Sequence, residues 1–221
     1  MKSFFSFLAF LLIPIFYAQD LKDFIVPEGY TRLSETKGDL DKDGKNEVVI
    51  LLNTKNKKGS EGYRRIFFIL KSINGKLKIW KENSSLIFPS NYGFYPENNG
   101  LPDITIKNNC LIISQQFNTN SRHTQMYIHT FRFQNNDFFL IGSVNKFDDT
   151  CEFNILNEIN FSTGKVIVDE QYFPCADGEA APAKNFYKEF KYPFKPLTKM
   201  NNFTIGENSY KIPNSDKHFN F

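Results

Sequence analysis

The chain has 221 residues and a formal net charge of +3, from 27 Lys and Arg against 24 Asp and Glu, with acids and bases intermixed. That balance implies neither a nucleic-acid partner nor a membrane-surface partner, since each calls for a concentrated basic face. A chain of this length buries a core without staples and suits one large domain or two small ones.

The first residues point to export. Lys2 supplies a positive start, and residues 4–16 are an apolar run interrupted by Ser6 and Pro14, followed by the polar Gln19 and Asp20. The run is short against the roughly 20 apolar residues of a spanning helix, and its flanks are those of a secretory signal. Cleavage after Ala18 makes 1–18 a signal peptide and 19–221 a single exported β-rich domain, periplasmic or secreted; an uncleaved anchor is the alternative. The first cysteine is Cys110, so the expected cut carries no lipid-attachment cysteine. No second long apolar run follows, and no membrane span is expected after cleavage.

Residues 38–51, GDLDKDGKNEVVIL, form the most chemically loaded stretch. Hard oxygen ligands at alternate positions, followed by a glycine that permits a sharp turn, are what a Ca²⁺ loop requires. Asp39, Asp41 and Asp43 supply carboxylates, Gly44 the turn, Lys45 a backbone carbonyl, and Glu47 closes the shell. An EF-hand is excluded, because its twelfth position here is Ile50 and a strand follows instead of a helix. The alternative is a polar turn rich in aspartates that holds no ion.

Read together, these residues resemble the D-x-D-x-D-G-x-x-D calcium loop of FG-GAP and VCBS-type repeats, in which the loop joins two strands and the second begins with apolar residues, as Val48-Val49-Ile50-Leu51 do here. The resemblance covers about fourteen residues and implies a structural Ca²⁺. Glu47 stands where that family usually has Asp, and the loop occurs once, so the family's propeller does not transfer. More loosely, the chain resembles exported proteins of Bacteroidetes that carry one such loop with F-Q-N-N-D-F-F-L-I-G and I-N-F-S-T-G-K stretches. That likeness implies export and no particular activity.

Strand signals fill most of the remainder. EVVILLN (47–53), RRIFFILK (64–71) and KLKIWKE (76–82) are short apolar runs, the last two separated by Asn74-Gly75. Asn-Gly is a strong two-residue hairpin signal because both residues tolerate positive φ. Asn108-Asn109, Asn135-Asn136 and Ser162-Thr163-Gly164 mark further hairpins, and FTIGENSYKI (203–212) a small final one. Helical signals are few: one turn at 20–26, and two turns in AKNFYKEF (183–190), bracketed by Pro182 and Pro193. Residues 174–201, with four prolines, read as a loop-rich excursion. The expected architecture is mainly β, with antiparallel sheet or sheets built from successive hairpins, few short helices, and no propeller.

The loop 89–103, PSNYGFYPENNGLPD, sets Tyr92, Phe94 and Tyr95 among small and polar residues. Exposed aromatics there suit recognition of a protein, a peptide or a glycan; alternatively they tuck back over the sheet. A hairpin around 161–165 in register sets Ile159 against Val166 and brings Cys151 close to Cys175, within reach of a disulfide. Cys110 opens the apolar strand CLII and reads as a buried small residue, since no Cys-His signature surrounds it as it would a nucleophile. His123 and His129 share a face but lie roughly 20 Å apart, too far to bind one ion. The adjacent pairs Asp148-Asp149 and Asp169-Glu170 point to opposite faces and read as solvated charges.

These features favour an exported, Ca²⁺-stabilised β-domain with a binding or structural role and no catalytic constellation. A hydrolase of envelope or extracellular polymer and a periplasmic immunity or inhibitor protein are the alternatives.

Overall fold

The computed structural model describes residues 24–95 and 100–221; the expected signal segment, 1–18, lies outside them, as do 96–99 of the aromatic loop. Two antiparallel sheets carry the fold. The first comprises β1 (Thr31–Gly38), β2 (Glu47–Lys57), β3 (Tyr63–Ile73) and β4 (Lys76–Asn83), side by side in chain order. The second comprises β5 (Asp103–Lys107), β6 (Cys110–Asn118), β7 (His123–Gln134), β8 (Asp137–Asp149), β9 (Phe153–Asn160), β10 (Lys165–Tyr172) and β11 (Phe186–Lys191), again in chain order. A small hairpin, β12 (Ser209–Lys211) with β13 (His218–Asn220), completes it. The helical elements among the described residues are two 3₁₀ turns, Gly59–Glu61 and Met200–Asn202.

The turns form where the sequence demands left-handed backbone. Asn74 and Gly75 have φ of 53° and 77°, Asn108 and Asn109 52° and 58°, and Asn135 and Asn136 49° and 62°. Positive φ at both central residues matches the right-handed twist of the flanking strands, so these dipeptides set the hairpin registers.

Between the sheets lies a core of Val49, Leu51, Phe67 and Ile69 from the first and Leu111, Ile113, Phe131, Phe138, Leu140, Val166 and Val168 from the second. Burying each such side chain contributes about 1.5–3 kcal/mol. The alternate residues of the first sheet, Val48, Ile50, Leu52, Phe68 and Leu70, form a separate cluster on its outer face, against which Phe24, Val26 and Tyr30 pack. This is why β2 reads as a continuous apolar run rather than an alternating one. β1 runs beside β5, where a Cβ on Gly38 would lie 2.6 Å from Cγ2 of Ile106.

Three expectations need correction. Residues 186–191 are strand β11, not helix, paired with β10 from Lys165↔Lys191 to Glu170↔Phe186. Phe186 and Phe190 pack against the core cluster on the inward face of the strand, with exposed Tyr187 and Glu189 alternating outward. The excursion 174–201 therefore contains an edge strand between two irregular stretches. The final hairpin pairs 209–211 with 218–220, whereas Phe203 and Ile205 are buried without joining a strand.

Candidate functional site

The acidic turn links β1 to β2. Leu40 is fully buried in the core and anchors it, while Asn109 of the β5–β6 turn donates Nδ2–H to the Asp39 carbonyl at 2.8 Å. Within it, Asp39 accepts backbone N–H groups of Lys42 at 2.6 Å and Gly44 at 3.1 Å. Asp43 accepts the Lys45 N–H at 2.9 Å, and the buried Glu47 accepts that of Leu40 at 2.8 Å. Gly44 has φ of 80° and Lys42 68°, the left-handed positions that close the turn. Carboxylate oxygens of Asp39, Asp41 and Asp43 lie within 4.8 Å of one another.

Lys71 of β3 reaches into this turn. Its Nζ donates to Asp41, lies 3.0 Å from Oδ2 of Asp43 and 3.6 Å from Oε1 of Glu47, and stands 5.1 Å from the Trp80 ring centre. The register that sets Val48 opposite Leu70 brings Lys71 beside Glu47. Burial opposes the Lys71 charge, but the hydrogen bonds to Asp41 and Asp43 and the Glu47 charge outweigh it and raise its pKa. The Lys71 bond lowers the pKa of Asp43, whereas burial pushes that of Glu47 up. The structure thus gathers Asp39, Asp41 and Asp43, leaves Glu47 outside that cluster and bonded to the Leu40 N–H, and adds a cation that sequence spacing alone does not place there.

The aromatic loop divides. Tyr92 tucks back, stacked on Phe88 at 4.2 Å and edge-on to Phe117 at 4.8 Å. Phe94 and Tyr95 are exposed and pack on each other at 4.2 Å, and the Phe94 N–H bonds the Asn118 carbonyl at 2.7 Å. Tyr92 lines a cleft of about 400 Å³ with Arg64, Arg65, Phe88, Tyr127 and Gly206. Two carboxylates, Glu61 and Glu207, also line it; Glu61 is ion-paired with Lys58 at 3.0 Å.

Cys151 and Cys175 form the expected disulfide, with Cα atoms 5.3 Å apart, and Ile159 does stand opposite Val166. Asp149 is not a solvated charge: it is buried and accepts Arg122 Nη2 and the N–H groups of Cys151 and Glu152, each at 2.9 Å. Burial works against its ionisation, but these bonds hold its pKa well below the usual carboxylate range. Glu170 is likewise buried and paired with Lys217. His129 is buried beside Phe203 and Tyr127, while His123 sits 2.9 Å from Asp149. Cys110 is free and half-buried, and burial raises its thiol pKa.

Among the described residues, no helix is long and apolar enough to cross a membrane. Comparison with protein-family models, with curated proteins and with solved structures gives no match, so the acidic turn and the cleft stand on their own geometry.

Proposed function

We propose that the chain is an exported two-sheet β-domain with a binding or structural role and no catalysis of its own, whose turn at 39–47 takes Ca²⁺. The observation that carries the reading is the convergence of the Asp39, Asp41 and Asp43 carboxylates on a backbone-braced turn that has already drawn in one cation, Lys71. Hard carboxylate and carbonyl donors suit Ca²⁺, and the resemblance to FG-GAP and VCBS-type loops favours the same ion. Lys71 then serves as a tethered cation that neutralises the turn when calcium is scarce and yields to it when calcium is present. Loops of this kind in extracellular modules hold calcium at roughly 10⁻⁴–10⁻³ M. A full oxygen shell leaves no open coordination position, which favours holding a loop over activating water. The Cys151–Cys175 bond supports export, because disulfides persist in oxidising compartments. Partners are sought among proteins, peptides and glycans, with the cleft beside Tyr92 as the place of contact.

Calorimetric titration with CaCl₂ tests the metal reading. Wild type is expected to bind, Asp41→Ala to lose binding, and Lys71→Met to bind more tightly because its competitor is gone. Absence of heat in both wild type and Lys71→Met would remove calcium from the account.

A further inference from the structure

The cleft beside Tyr92 lies toward the opposite end of β3 from the acidic turn. Alternation along β3 puts Arg65, Phe67, Ile69 and Lys71 on one face, so a cation stands at each end of the same core stripe, roughly 20 Å apart. The two ends differ in one respect. Lys71 is surrounded by carboxylates, whereas Arg65, only 9 % exposed, uses Nε–H to reach Asn53 Oδ1 at 3.3 Å and has no ion-pair partner among the described residues.

Buried charges are ordinarily paired, and a guanidinium presents five donors in a planar fork matched to a carboxylate. Arg65 spends one of them, and it lines a cleft whose volume of about 400 Å³ is in the range of small-molecule sites. The same cleft offers aromatic rings at Phe88, Tyr92 and Tyr127. Gly206 brings its loop close to them: its φ is 77°, and a Cβ there would lie 3.3 Å from the Tyr127 hydroxyl. We propose that this cleft binds a small organic carboxylate carried on a six-membered ring, Arg65 taking the carboxylate and the aromatic wall the face of the ring. Burial pushes the Tyr127 pKa up, so its hydroxyl meets the anion as a neutral donor. The proposal deepens the binding role and is independent of calcium.

Calorimetry on the full chain, with glucuronate and benzoate set against their neutral counterparts glucose and benzyl alcohol, distinguishes an acidic sugar from an aromatic acid. At least one carboxylate is expected to bind, with its neutral counterpart at least tenfold weaker. Arg65→Met is expected to lose at least tenfold in affinity with a melting temperature no lower than wild type, since the charge it removes is unpaired. Tyr127→Leu keeps Arg65 and removes one ring; it is expected to weaken binding and decides the matter if Arg65→Met does not fold. Failure of both carboxylates, or equal affinity for the neutral compounds, overturns the proposal, and the second result leaves the binding role standing. Unchanged affinity in a folded Arg65→Met, or in Tyr127→Leu, overturns it as well.

Discussion

The Lys71 ammonium lies 3.0 Å from Oδ2 of Asp43, a residue 28 positions earlier in the chain, and so occupies the place where a bound cation would act. Lys71→Met in chelator leaves the acidic turn without its counter-charge. A loss of about 1–2 kcal/mol is expected for so partly exposed a network, seen as a lower melting temperature. Excess calcium should erase most of that difference. A deficit of equal size with and without calcium would show that the two cations do not share the site. Because the Lys71 pKa is raised above 10.5, its contribution is full below that pH and fades as pH rises past the folded value.

Gly38 and Ile106 join the two sheets at an edge where no room remains. A Cβ at position 38 would meet Cγ2 and Cβ of Ile106 at 2.6 and 2.8 Å. Gly38→Ala is therefore expected to cost about 1–3 kcal/mol, the usual range for overpacking. Combined with Ile106→Ala it should cost less than the sum of the two single changes, measured by urea denaturation. Simple additivity would place the strain elsewhere.

The Cys151–Cys175 bond closes a loop with a sequence separation of 24. Replacing both cysteines by serine is expected to lower stability by about 2–4 kcal/mol, read from urea midpoints in the presence and absence of reductant. The serine variant should be indifferent to reductant. Sensitivity persisting in that variant would implicate Cys110.

Burial pushes the His129 pKa down to about 3 from 6.5. Between those values the unfolded chain takes up a proton that the folded chain refuses, so stability falls as pH falls. The slope from this group is about 1.4 kcal/mol per pH unit. Asp43, Asp137 and Asp149, all held below their ordinary 3.8, add losses from about that pH downward, while the raised Glu47 works the other way. His129→Gln should flatten the dependence between pH 6.5 and 5 in urea melts; an unchanged slope would assign it to another group.

The hairpins were legible because Asn-Gly and Asn-Asn pairs name their own backbone geometry, and that geometry fixes register. The disulfide followed from one such register. β11 was not legible: FYKEFK between two prolines satisfies a short amphipathic helix as well as a strand, and the choice falls to β10, which offers an open edge. The acidic turn was visible as a ligand pattern, but its partner Lys71 was not, because strand pairing across β2 and β3 is what brings it there. A signal for both Lys71 and Arg65 did exist. The alternation R-x-F-x-I-x-K along β3 puts two cations in line with Phe67 and Ile69, facing inward where surface charges are expected to face out.

In both sheets the order of strands in space is the order of strands in the chain. Each new strand thus finds its pairing edge on the strand made just before it, and the pairings are hairpins of low contact order. A chain threaded through a narrow pore with its N-terminal end leading would assemble the same ladder strand by strand as it emerged. What has to wait is the closure between layers, where Phe219 and Phe221 join the core last.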